Sequence, residues 1–159
     1  MTIPRSRQAL DDARRAVFEL RQTSDRTEDF PRRYRGAIAL VMAVGPVLNS
    51  ETPKAPKDWW KPHIEPDGQP LMKLRTALLK HNYDSLDPNF QPASARESAR
   101  RLRGSRRSFA LMPGVPPSVV HLPNWTIKSG DYKGKDAIAL LEDYLAKLER
   151  LLPLAEPFE

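Results

Sequence analysis

The chain has no cysteine and, among its 159 residues, only three histidines and seven glycines. Without cysteine there is no disulfide framework, no thiolate zinc site and no cysteine nucleophile. His63, His81 and His121 lie far apart and show none of the paired spacing on which hydrolytic zinc sites depend. The reading therefore assigns no metal and no cofactor. No glycine-rich phosphate loop occurs among the glycines. No apolar run approaches the roughly 18 residues a membrane span needs, and the opening "MTIPRSRQAL" lacks the apolar centre of a signal peptide. The expectation is a cytoplasmic protein with no membrane contact. No internal repeat of fixed period and no dominant coiled-coil run is present.

What is present suits one domain, residues 1–159, with 40% hydrophobic content. The net charge of +6 is unevenly spread. Arg96, Arg100, Arg101, Arg103, Arg106 and Arg107 stand together with a single acid, Glu97. From Lys128 to Glu159, seven acids outnumber five bases. The arginine stretch reads either as a phosphate-neutralising patch for nucleic acid or as a solvated helix face.

Four helical patterns organise the chain. "SRQALDDARRAVFELRQ" places Leu10, Ala13, Val17 and Leu20 on one stripe, with Ser6 as the candidate cap. "EDFPRRYRGAIALVMAVGPVLN" opens with Asp29 and Pro31 as start signals and is then nearly all apolar, the pattern of the most buried helix. Gly45 and Pro46 are expected to kink or end it, by Asn49 at the latest. A proline-rich connector follows, in which Trp59 or Trp60 should anchor the loop or offer an aromatic platform. "LMKLRTALLKHNYD" is the third helix, and "KDAIALLEDYLAKLERLLP" is the last, closing at Pro153. Between these two lies an insert of about 87–130. In it "DSLDPNFQP" reads as punctuation, "ASARESARRLRG" as a weak helix stopped by Gly104, and the stretch through "HLPNWTIKSG" as a short hairpin or extended chain. The fold class is all-α, a four-helix bundle with a possible short β-hairpin.

The third helix carries the chemistry. At about 100° per residue, Arg75 and His81 both fall in the arc of Leu71, Met72, Leu74, Leu78 and Leu79. A buried guanidinium needs a carboxylate, a set of carbonyls or a cleft that admits an anion. A structural salt bridge, or snorkelling to the helix edge, answers the same need. His81 near a helix C-terminus is equally suited to bonding the last carbonyls. Ideal geometry sets the two residues about 120° and about 9 Å apart, so convergence needs the helix to loosen at "HNYD". Glu65 with Asp67, and Ser105 with Ser108, lack a matching base and read as surface residues.

An arginine separated by five residues from a histidine, late in a helix of an all-α chain, resembles the HEPN superfamily. Here the string is "RTALLKH", with Thr76 in place of the polar residue, often asparagine, aspartate or histidine, that follows the arginine in family members. The order "RRYRGAIALVMAVGPVLN", a tryptophan loop, "LRTALLKH" and "YLAKLERLL" is similar to that of small HEPN-like proteins over most of Phe30 to Leu152. The arginine-rich insert has no counterpart in the resemblance.

The resemblance implies metal-independent RNA cleavage, with two motifs brought together in a homodimer. Arg75 would hold the phosphate and His81 would act as acid or base. It also implies a toxin or phage-defence setting, with an antitoxin or defence-system partner. Two other readings stand beside it: a non-catalytic helical module binding RNA, nucleotide or protein, and a structural protein gripping an anionic partner through its arginine-rich insert.

Overall fold

The computed structural model describes residues 3–26, 28–65, 68–80, 86–92 and 121–158. It is mostly helical: α1 (Pro4–Gln22), α2 (Phe30–Glu51), α3 (Lys61–Ile64), α4 (Gly68–Lys80) and α5 (Ala137–Ala155), with a 3-10 turn at Glu156–Phe158. A small antiparallel sheet pairs β1 (Leu86–Pro92) with β2 (His121–Ile127). No helix among the described residues is long and apolar enough to cross a membrane.

α1 and α2 form an antiparallel hairpin, and α5 packs along α1. On α1 the buried residues are Ser6, Leu10, Ala13, Val17 and Leu20, in alternating steps of four and three. α5 answers with Leu141, Leu145, Leu148 and Leu151. Three ion pairs stitch the flank of this seam: Arg7 to Glu156 at 3.5 Å, Arg14 to Glu149, and Arg21 to Glu142 at 2.7 Å. They recur every seven residues because that step returns to nearly the same helix face.

Ser6 is not the cap of α1. The helix starts at Pro4, and Ile3, in the cap position, offers no side-chain acceptor. The acceptor comes from the far end of α2. The Glu51 carboxylate accepts from the N–H of Arg5 (2.9 Å), the N–H of Ser6 (2.7 Å) and Ser6 Oγ (2.6 Å). It thereby satisfies donors that a helix start leaves free. Asp29 does occupy the cap position of α2, but without a side-chain capping bond. At α5 the local signal works: Asp136 Oδ1 accepts from the N–H groups of Ile138 and Ala139.

Neither proline stops its helix. α2 runs through Pro46 to Glu51, and α5 runs through Pro153 to Ala155. Both rings are exposed, so the missing hydrogen bond and the crowded carbonyl fall on the open side rather than in the core. Gly45 has a separate task. It lets Trp60 lie directly on the helix, where an added Cβ would come within 2.6 Å of the ring.

The connector is tied down by both tryptophans. Trp60 is buried, whereas Trp59 is half-buried and donates from Nε1 to Thr52 Oγ1 at 2.9 Å. The Trp59 ring also meets Phe158 at 5.5 Å. "DSLDPNFQP" contains a strand after all, since β1 supplies the partner of β2. A two-stranded sheet has only edge strands, so Pro88, Pro92 and Pro123 are tolerated. The sheet is fixed to the helices by Trp125, which stacks on Phe30 at 4.2 Å and donates to the Ser24 carbonyl at 2.8 Å.

Candidate functional site

α4 buries Leu71, Leu74 and Leu78 and leaves Met72, Lys73, Arg75, Thr76, Leu79 and Lys80 exposed. The apolar arc is therefore narrower than the sequence pattern suggests. Arg75 is not buried in it. It stands about 40° from Leu71 on the outer flank, next to the exposed Leu79. Among the described residues the Arg75 guanidinium has no ion-pair partner, and neither has the ammonium of Lys80. Thr76 is also exposed, but its hydroxyl donates back to the Met72 carbonyl at 2.9 Å, so it serves the helix itself.

Arg75 stands on the lip of an open groove of about 1150 Å³ between the outward sides of α2 and α4. The α2 wall consists of Ala39, Met42, Ala43, Pro46 and Val47. The α4 wall consists of Gln69, Met72, Lys73, Arg75, Thr76, Ala77 and Lys80. Trp60, Lys61, Ile64 and Glu65 also line it, with Asp58 and Asn49. Asp58 is engaged by Lys61 at 2.8 Å, and its backbone N–H is held by Asn49 Oδ1. Its left-handed backbone (φ 57°) turns the chain so that Trp60 meets α2. Tyr144 of α5 lines the groove too. Burial pushes its phenol up to about 12, so it stays a neutral donor at physiological pH.

This groove modifies the expectation for α2. From Gly36 to Ser50 the helix carries no charged side chain, the pattern of a helix covered on all sides. Only one side is covered: Leu40, Ala43 and Pro46 are exposed. The signal was present in the sequence, but it could not say that the chain itself leaves the second side open.

His81, Asp67, the six arginines from Arg96 to Arg107, Ser105 and Ser108 lie outside the described residues. His63 is exposed beside Trp59, and no group of three or more metal-ligating side chains occurs among the described residues. Sequence reasoning missed Tyr34, which is fully buried with no hydrogen-bond partner for its hydroxyl among the described residues. Its ionisation is suppressed by burial first, and then by the charge of Asp136. The chain matches no family model, no curated protein and no solved structure. Its functional reading therefore rests on its own residues.

Proposed function

We propose that the protein is a metal-independent ribonuclease of the toxin or phage-defence kind, in which Arg75 binds the scissile phosphate and His81 moves the proton. The observation that carries this reading is the exposed guanidinium of Arg75 on the flank of α4, without an ion-pair partner among the described residues, about one and a half turns before the helix reaches Lys80 and His81 follows in the sequence. A free guanidinium can grip two phosphate oxygens and stabilise the charge that grows on them.

In the proposed step the ribose 2′-oxygen attacks phosphorus while an imidazole removes its proton. The P–O5′ bond breaks, O5′ receives a proton, and a 2′,3′-cyclic phosphate remains. One imidazole cannot act as base and acid in the same step, so the reading includes a homodimer in which a second His81 faces the first. It also includes a HEPN-like bundle formed by α1, α2, α4 and α5, a cytoplasmic setting, and RNA held by the Arg96 to Arg107 stretch. The experiment is cleavage of structured and single-stranded RNA in EDTA, with analysis of the new 3′ ends. Cyclic phosphate ends support the reading; intact RNA under all conditions removes it.

A non-catalytic binding module is the second reading. It is favoured by the apolar α2 wall, which phosphate contacts do not require.

A further inference from the structure

The α2 wall of the groove is unusual for a surface, because about ten residues of helix present Ala39, Met42, Ala43, Pro46 and Val47 there, with Asn49 at one end and no charged side chain. Across the gap α4 presents Lys73 and Lys80. Lys80 has no ion-pair partner among the described residues, and Lys73 reaches Asp131 only at 3.8 Å with both side chains largely exposed. One wall is thus apolar and the other cationic. We infer that this groove docks an acidic amphipathic helix of a partner protein, its apolar stripe on α2 and its carboxylates facing α4.

Size and charge select this occupant. The walls run from Ala39 to Asn49 on α2 and from Gln69 to Lys80 on α4, about 15 Å each, which is the length of a three-turn helix. The volume of about 1150 Å³ exceeds the roughly 300–1000 Å³ of small-molecule clefts. Helices recognised in grooves seat apolar residues at i, i+3, i+4 and i+7 and leave their flanks to set specificity by charge. A second copy of this chain fits less well, because pairing groove to groove would set the α4 cations of both copies against each other. Pro46 adds a polar feature. It has no N–H to give the Met42 carbonyl one turn back, so that carbonyl on the wall is available to a donor on the incoming helix. Docking itself requires no ribonuclease activity. The further consequence that a docked helix keeps RNA from Arg75 rests on the reading above.

The test is selection, on the full-length protein, from helical peptides of about 16 residues with apolar residues at i, i+3, i+4 and i+7 and flanks varied between Glu and Lys. Recovered peptides should carry Glu on the flank. Their Kd should rise about tenfold or more with Lys73→Glu/Lys80→Glu, and Lys-flanked versions should regain binding to that variant. Ala43→Glu, at an exposed position of the α2 wall, should abolish peptide binding with melting temperature unchanged. Cleavage is measured separately, so its absence bears on the ribonuclease reading and not on docking. Peptides without acidic bias, or equal affinity for wild type and Ala43→Glu, would overturn the inference. So would a concentration-dependent dimer that Ala43→Glu dissolves, since the occupant would then be a second copy.

Discussion

Gly45 and Trp60 are in direct contact: the benzo edge of the indole lies on the glycine, and a Cβ there would approach Cη2 to 2.6 Å and Cζ2 to 2.7 Å. This contact seats α3 and the connector on α2 and so closes one side of the groove. Gly45→Ala would force the ring away. The expected cost is about 1–3 kcal/mol in denaturant unfolding, the range for inserting a methyl into packed space. Trp60→Leu in the same background should recover part of it, because the smaller side chain removes the clash. If Gly45→Ala alone leaves stability unchanged, the packing described here is wrong.

Glu51 gives the fold a pH dependence. Burial alone would raise its carboxyl, but the bonds from Ser6 Oγ and from the N–H groups of Arg5 and Ser6, with the charge of Arg5, hold it below the usual carboxylate range. A depressed folded value means the stabilisation is complete above the unfolded value of about 4.3 and is lost as pH falls through the folded one. Glu51→Gln should therefore cost about 0.5–2 kcal/mol at pH 7, the scale of a helix cap, and the gap to wild type should close in acid. Urea unfolding at pH 7 and near pH 3 measures both. A constant gap would contradict the assignment.

The Arg7, Arg14 and Arg21 ladder to α5 is solvent-exposed, so it is expected to specify register more than to stabilise. Arg21→Ala should cost less than about 1 kcal/mol, and less still in high salt. The charge-reversed pair Arg14→Glu/Glu149→Arg should melt close to wild type, while Arg14→Glu alone falls below it. Thermal melts of the four proteins at two salt concentrations decide this.

Trp125 joins the sheet to the α1–α2 turn. Replacing it with alanine removes both the stack on Phe30 and the bond to the Ser24 carbonyl, and should cost about 3–5 kcal/mol. Trp125→Phe keeps most of the stack and should cost much less. Equal losses would mean that the hydrogen bond, and not the packing, carries the contact.

Local features were the legible ones. The steps of three and four through Leu10, Ala13, Val17 and Leu20 identify α1 because burial on one face needs only the helical period. The tryptophan anchor of the connector was readable from the cost of leaving two indoles in water. Long-range partnerships were not readable. No rule of spacing connects Ser6 with a carboxylate 45 residues away, or β1 with a strand at the far end of the insert. The placement of Arg75 was half legible. The helix was correct, but Met72 and Leu79 widened its apparent apolar arc, and only packing shows which hydrophobics are exposed. The unbroken apolarity of α2 was visible, while the open groove beside it depends on where α4 settles.

The most direct test of the central claim compares single-turnover RNA cleavage in EDTA by wild type, Arg75→Ala and His81→Ala, with a thermal melt of each. The account predicts cleavage by the wild type, and a rate lower by roughly 10² or more in each variant, the scale of removing a charge-stabilising or acid–base group. Because Arg75 is exposed and unpaired among the described residues, its variant should melt like the wild type. Unchanged cleavage in Arg75→Ala, or a fall in rate matched by a fall in melting temperature, would contradict it.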